Sequence, residues 1–518
     1  MNNDFFKDRF ESYDVAEFSF YGSVRRDLEM FIKEHATFFD TPDLKLTPKR
    51  LSYLTKLLVE FAEDLHYDVG LWRSVEEYNQ KLFYTPLPLI VRYKHEIKEK
   101  FDKNRFKFFI FNMMLEFKPY LIISPTHPGL ELFSKQLSTF FKAHFKNAPA
   151  KSTLKLFLNE PDDYMWDFKQ KVVFVGTKSY LFRLCFRNFY KESQNSPGDI
   201  ETIDKFVNEH PTKWSGALVT EITAMAVNLP KNLRKDVETW YERHTSIYKF
   251  ISWNNNNLIM ENIVNNQIYE IYFDFKSNPF IENKYMMGGL VKFDNKWHWS
   301  GSQHIFGKLE EDEEKINELK NKLISDLPQI VYRYDIKRLE MARESLLKDY
   351  NDFVEFFGSD LVIFENGKTL ESEFKKKILF AYNKISDEQK KQYFEEYGKQ
   401  IEIPTFDFTG NLHESENQIA AHFNPDIGFE FVLQYDLFIS GLQKQGVGLE
   451  EEEKEVIYVL ITDKRVSPQF IKRITDEYGT QSIQKVFYLD IDDNNLEYLL
   501  RVYKGKSFRK QYPHVSMI

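Results

Sequence analysis

Residues 269–275 read Tyr269-Glu270-Ile271-Tyr272-Phe273-Asp274-Phe275, and residues 296–301 read Lys296-Trp297-His298-Trp299-Ser300-Gly301. In the first stretch, large apolar side chains at every second position share one face, while Glu270 and Asp274 lie on the other. This alternation is typical of an antiparallel strand with one buried face. The second stretch is the densest in aromatic side chains. Both lie where helical patterning gives way to strands.

Asparagine-rich turns divide the surrounding region into short strands. Asn254–Asn257, Asn265-Asn266 and Asp294-Asn295 separate apolar segments, and asparagine tolerates the positive φ of tight turns. Gly288-Gly289 predicts a bulge or a close backbone approach. Five short strands between residues 247 and 306 therefore predict a curled sheet or a small antiparallel β-barrel-like module.

The sequence on either side is patterned differently. Thr47-Pro48 is a capping hydroxyl followed by proline, and an apolar stripe at three- and four-residue spacing continues behind it. Lys171–Gly176 fits a short strand or a buried helical segment. Ser467-Pro468 predicts a helix that ends at Gly479, and Val486–Leu489 predicts a final strand.

The length of the chain predicts several domains. At 518 residues it exceeds the size at which one hydrophobic core keeps growing. The fold class that we predict is α+β multidomain, with a mainly helical N-terminal half, the small β-module in the middle and a C-terminal α/β domain. The predicted boundaries are 1–243, 244–308 and 309–518.

Composition and charge limit the partners. Hydrophobic residues make up 42% of the chain and charged residues 29%, as in soluble globular proteins. The net charge of −9 argues against a general phosphate-binding surface, although it leaves room for a local basic patch.

Cysteine usage and hydropathy predict a cytoplasmic protein that does not contact membranes. Cys185 is the single cysteine, so neither an internal disulfide nor a cysteine-rich zinc site can form. The first residues lack a signal-peptide pattern. The longest uncharged apolar run, residues 108–115, is too short to span a bilayer.

Several phrases resemble an uncharacterised bacterial family that is classed only as a domain of unknown function. The resemblance covers most of the chain but implies no known activity, so it transfers no catalytic residue. Similar β-modules occur in proteins that end in the SEC-C zinc motif, which is absent here because Cys185 stands alone. The phrases are Gly70–Asn79, Ser179–Arg183, Trp214-Ser215-Gly216, Trp240–His244, Trp297–Gly301 and Asn424–Gly428.

Catalytic signatures do not appear in the sequence. It has no His-Glu-x-x-His, no Gly-x-Ser-x-Gly and neither common glycine-rich phosphate loop. We therefore expect a non-catalytic binding or scaffold protein with no cofactor and no metal, for which another protein is a candidate partner. The alternative is a hydrolase or nucleic-acid-directed enzyme whose site is assembled from residues distant in sequence.

The β-module contains the candidate binding residues Trp297, His298, Trp299 and His304. Trp297 and Trp299 are two apart on a predicted strand and should share a face. Core packing is favoured over an exposed ligand surface. Two histidines six residues apart do not by themselves predict a metal site.

Two basic stretches favour the remaining alternative, a nucleic-acid binder. One is the predicted helix over residues 94–107, in which cations interleave with Phe101 and Phe106; the other is the C-terminal stretch Arg501–Lys510. Cations mixed with aromatic rings are typical of single-strand binding surfaces. The acidic balance of the chain disfavours this alternative.

Overall fold

The structure is a computed structural model, and it describes residues 14–91, 97, 99–162, 164–193, 199–254, 256–273, 285–306, 313–327, 329–403, 408, 410–489 and 493–517. Two compact units divide the chain. Unit 1 contains residues 1–334 and 488–505, and unit 2 contains residues 335–487 and 506–518. None of the described helices combines the length and the apolar character that a membrane span requires.

In the described residues of unit 1 that precede the strands, eleven α-helices surround one aromatic-rich core, which also includes Tyr498 and Val502. They are α1 Val15–His35, α2 Pro48–Tyr67, α3 Leu71–Phe83, α4 Lys103–Phe117, α5 Pro128–His144, α6 Thr153–Leu158, α7 Met165–Lys178, α8 Arg183–Ser193, α9 Ile200–Glu209, α10 Val219–Ala226 and α11 Lys231–Glu238.

Five strands follow these helices in the part of unit 1 that the structure describes. Their pairing order is β1-β2-β3-β5-β4, and β4 pairs back with β1. Four junctions are antiparallel, whereas β3 and β5 meet at one parallel pair, Ile271 with Trp297. The strands are β1 His244–Asn254, β2 Asn257–Asn262, β3 Ile268–Tyr272, β4 Tyr285–Phe293 and β5 Lys296–Phe306; α12 Glu313–Asp326 and α13 Ile330–Tyr334 come next.

Unit 2 packs helices around a four-stranded sheet of order β6-β7-β8-β9, in which β8 and β9 are parallel. Its core is rich in phenylalanine. The elements are α14 Ile336–Phe357, β6 Leu361–Phe364, α15 Gly367–Asn383, α16 Asp387–Tyr397, α17 Asn411–Glu414, β7 Ile419–Asn424, β8 Gly428–Val432, α18 Tyr435–Gln443, α19 Glu451–Thr462, α20 Pro468–Tyr478, α21 Gln481–Phe487 and β9 His514–Met517; α22 Asp493–Lys504 belongs to unit 1.

The mixed α+β class is confirmed, and the three-part division predicted from the sequence stays a prediction. The helix predicted from Ser467 to Gly479 is confirmed, with Ser467 Oγ accepting from Phe470 N at 3.1 Å. The strand predicted at Val486–Leu489 is wrong, because Ile483, Val486 and Phe487 bury one helical face of α21. Lys171–Gly176 is helical and lies within α7.

Glycine is required at both positions of the Gly288-Gly289 pair in β4, because a side chain packs closely against each of them. The register of β4 and β5 shifts between Met287 and Gly289, so the pairing is irregular where the sequence predicts a bulge or a close backbone approach. A Cβ atom on Gly288 would lie 2.8 Å from Trp299 Cζ3, and one on Gly289 would lie 2.8 Å from Arg243 Cδ. Neither distance is tolerated in a packed core.

We expect Gly288→Ala to lower the free energy of unfolding of unit 1 by about 1–3 kcal/mol, as overpacked core variants do. The added methyl group overlaps the Trp299 ring. Urea titration followed by tryptophan fluorescence measures the change. Trp299→Phe should relieve part of the loss in the double variant; a loss that is strictly additive would contradict the proposed overlap.

Candidate functional site

A buried charge cluster joins the helices of unit 1 to its strands. Arg243, which immediately precedes β1, is 1% exposed. Its guanidinium contacts three carboxylates of α9, namely Asp204 at 2.6 Å, Glu209 at 3.1 Å and Glu201. Lys169 of α7 approaches Asp204 at 2.5 Å.

For Arg243 and Asp204, electrostatic attraction within this cluster exceeds the cost of burial, whereas burial lowers the pKa of Lys169 despite its contact with Asp204. Burial works against the charge of Arg243, but a hydrogen bond with Glu201 and the charge of Asp204 raise its pKa. Burial likewise opposes the charge of Asp204, yet Lys169 and Arg243 lower its pKa. Ser300 of β5 donates to both Asp204 oxygens at 3.0 and 2.9 Å. Because these cations already contact carboxylates, we assign the cluster to stability.

The lowered pKa of Asp204 predicts an acid-dependent loss of stability in unit 1. A carboxylate with a depressed folded pKa contributes stability that is present above its unfolded pKa, about 3.9, and is lost as pH falls through the folded value. We expect the stability advantage of the wild type over Asp204→Asn to shrink below about pH 5. Urea titrations across this range test it; an advantage that is constant with pH would contradict it.

The structure separates the four binding residues predicted on β5. Trp299 is 3% exposed and packs in the strand core, with its ring centroid 5.7 Å from that of Tyr248. Trp297 is half-buried on the same face, 5.1 Å from the Tyr269 ring.

The two histidines lie apart. His298 is buried, its Nε2 atom is 3.3 Å from the Phe293 carbonyl oxygen, and burial lowers its pKa. His304 is exposed beside Phe306, about 20 Å further along β5 at the rise of an extended strand. Among the described residues, no group of three or more His, Cys, Asp or Glu side chains is placed to hold a metal ion. A binding role for the four residues stays a prediction.

The basic helix predicted over residues 94–107 is wrong in its start, because α4 begins only at Lys103, capped by Asp102. Residues 94–96 and 98 lie outside the described residues. The remaining cations are engaged: Lys103 and Lys107 bind Glu131, Arg105 binds Glu76 at 2.7 Å, and Lys100 donates to the His66 carbonyl. The interleaved rings of Phe101, Phe106 and Phe108 are core residues.

Cations of the predicted C-terminal basic stretch are also paired, buried or packed on an aromatic ring. Arg501 pairs with Glu497 at 2.8 Å, and Lys504 is fully buried at the end of α22. Lys510 lies over the ring of Tyr512. A nucleic-acid role for the two basic stretches stays a prediction.

A different surface of unit 1, which we name the basic cleft, concentrates positive charge. Its volume is about 820 Å³, and its walls come from α1, α2, α8 and the end of α4. Glu116 is the one acid among the described residues that line it, and Glu29 pairs nearby with Arg25 at 3.1 Å. The cations that line it are Arg25, Lys49, Arg50, Lys56, Arg187 and Lys191.

The N-terminus of α2 opens into this cleft. Thr47 caps the helix by accepting from Arg50 N at 3.3 Å, and Pro48 is the first helical residue. The first turn of a helix carries a partial positive charge. Lys49 and Arg50 add two full charges to it, and both side chains are exposed.

Helix α8 passes α2 in the opposite direction. Arg183 at the start of α8 pairs with Glu60 at 3.1 Å. One turn later, Arg187 lies over the ring of Tyr53, two turns nearer the start of α2. Lys191, a further turn along α8, therefore lies toward the end of α2 that carries Lys49.

Two aromatic rings, Tyr53 and Phe117, line the cleft between its cationic walls, and we name this pair the aromatic step. The Arg187 guanidinium is 4.5 Å from the centroid of the half-buried Tyr53 ring, and Phe117 meets that ring edge-on at 6.3 Å. Arg183 Nε donates to the Tyr53 hydroxyl at 3.1 Å. Burial raises the pKa of Tyr53 although the charges of Arg183 and Arg187 act to lower it, so the phenol stays neutral.

Glu116, the acid that lines the cleft, directs its side chain toward the protein interior. Glu116 is 6% exposed and accepts from Cys185 Sγ at 3.1 Å and from Asn188 Nδ2 at 2.8 Å. Its charge is therefore directed at neighbouring side chains, and the accessible walls remain cationic.

Sequence patterning missed this cleft although part of the signal was present. Lys49, Tyr53 and Lys56 lie opposite the apolar stripe of the helix predicted behind Thr47-Pro48. Arg183, Arg187 and Lys191 recur every four residues. Helical spacing alone did not show that the two faces meet, because that requires the packing of α2 against α8.

Comparisons with protein-family models, with curated proteins and with solved structures found no match to this chain. The resemblance to the bacterial domain family therefore stays a prediction.

Cys185 should be unreactive in the native protein, since burial and then the Glu116 carboxylate raise the pKa of its thiol well above the ordinary value. We expect a disulfide reagent such as DTNB to react about a hundredfold more slowly with the native chain than with the unfolded chain, because only the thiolate attacks. Glu116→Gln should raise the native rate without abolishing the protection. Equal rates in native and unfolded protein would contradict the buried placement.

Proposed function

We propose that the protein is a non-catalytic binding protein that holds a phosphate-bearing ligand in the basic cleft. The observation that carries the proposal is the sign of the charge: six cations line one concavity of a chain whose net charge is −9. Clefts lined by one sign of charge focus the field and attract the opposite charge.

The cations at the mouth of the cleft support an anionic ligand. Within the part of the chain that the structure describes, the side chains of Lys49, Arg50 and Lys191 make no hydrogen bond or ion pair. Cations gathered in one concavity repel one another, and an anion between them removes that cost. Arginine forks and lysine ammonium groups are the side chains that bind phosphate oxygens.

The size of the cleft and the helix end at its mouth favour the same ligand chemistry. The volume of about 820 Å³ falls within the range of roughly 300–1,000 Å³ that is typical of small-molecule sites. A helix N-terminus directs its dipole and its free backbone N–H groups at an anion. Here Pro48 lacks an N–H and Arg50 N bonds to Thr47, so the N–H of Lys49 is the donor left in the first turn.

Isothermal titration with inorganic tripolyphosphate tests the proposal. We expect Lys49→Glu/Lys191→Glu to weaken binding by about tenfold or more, since each reversal replaces an attraction with a repulsion. The matched control is Lys231→Glu/Lys235→Glu, which makes the same charge change at two exposed positions of α11 outside the cleft.

Binding should also weaken as ionic strength rises, because exposed charges are screened. If the cleft variant and the α11 variant lose affinity equally, the ligand is attracted by overall charge and the cleft is not its site. Absence of tripolyphosphate binding to the wild type at low salt would also contradict the proposal.

A further inference from the structure

The positive charge of the cleft is distributed along a line. Lys49 and Lys56 are seven residues apart on α2, which corresponds to about 10 Å along the helix axis. Arg187 and Lys191, one turn apart, extend the charge along the opposing wall. A single phosphate group would engage one end of this arrangement, whereas a chain of phosphates engages both walls at successive turns.

The aromatic step adds a flat surface inside the charged walls. Arg187 is exposed and its guanidinium covers one face of the Tyr53 ring, while Phe117 packs edge-on against that ring. Unpaired bases stack on exposed arginine planes as they do on aromatic rings. Stacking of this kind does not depend on the identity of the base.

We infer that the ligand of the basic cleft is a single-stranded nucleic acid, with its phosphodiester backbone along the α2 and α8 walls and one base stacked on Arg187. This inference rests on the proposed function and names the chemical class of its ligand. A positively charged groove that follows the backbone, with a stacking surface within it, is the arrangement by which proteins bind single strands. Bases in a duplex are stacked on each other and are not available to Arg187.

Fluorescence anisotropy with a fluorescein-labelled oligothymidylate of about twelve nucleotides tests the inference, since this length lies within the range of about 4–16 nucleotides that single-strand sites cover. We expect the oligonucleotide to bind about tenfold more tightly than tripolyphosphate at equal salt, because stacking adds to the phosphate contacts. It should also bind more tightly than a duplex of the same length. Lys49→Glu/Lys191→Glu should lose this binding, and Lys231→Glu/Lys235→Glu should keep it.

Two substitutions separate stacking from charge. Arg187→Lys keeps the charge but removes the plane, so it should lose several times more affinity for the oligonucleotide than for tripolyphosphate. Tyr53→Leu removes the ring that supports the plane, and Tyr53→Phe retains it. We therefore expect the leucine variant to lose about tenfold in oligonucleotide affinity and the phenylalanine variant to lose less.

The outcomes distinguish this inference from the proposed function. If tripolyphosphate binds in the cleft but the oligonucleotide binds no more tightly, the inference is overturned and the proposed function stands. Equal affinity for single strand and duplex, or an equal loss for both ligands in Arg187→Lys, also overturns it. If neither probe binds at low salt, both fail.

Discussion

The fold of unit 1 depends on the carboxylates that neutralise the buried guanidinium of Arg243. The guanidinium of Arg243 is enclosed where the first strand begins, and it contacts Asp204 at 2.6 Å and Glu209 at 3.1 Å. A charge removed from water is tolerated only when carboxylates and hydrogen bonds replace its hydration. The helix that carries these acids and the strand that follows Arg243 are therefore held together, and Gly289 and Gly301 leave the space that the guanidinium occupies.

The basic cleft differs from the Arg243 cluster because its cations are not all matched by carboxylates among the described residues. Around Arg243 each cation contacts a carboxylate, so the cluster is complete within the fold. In the cleft the cations outnumber the acids, and Glu116 is buried against Cys185 and Asn188. An excess of one sign at an accessible surface is a property of interaction sites, whereas a matched and buried set stabilises the fold. This contrast is why the cleft, and not the more deeply buried cluster, is the candidate functional site.

The strand module was predictable because its signals are local. Alternation around Ile271, asparagine turns such as Asp294-Asn295 and a glycine pair each depend on a few neighbouring residues, and the positive φ angles of Asp294 and Asn295 agree with that turn. One sequence pattern whose outcome depends on tertiary contacts gave a wrong prediction. Val486–Leu489 has the composition of a strand, but burial of one helical face determined its structure. The cations around Lys103 have the composition of a binding surface, but Glu131 and Glu76 already engage them.

The sequence by itself determined the mixed α+β class, the position of the strand region between helical segments, the caps of helices such as the one from Pro48, and the isolation of Cys185. Only the tertiary structure decided which charges meet. Lys49 and Lys191 are 142 positions apart, and no spacing rule joins residues on different helices. Periodicity reports the face on which a residue lies, whereas the potential at a surface depends on every charge that packing brings near it.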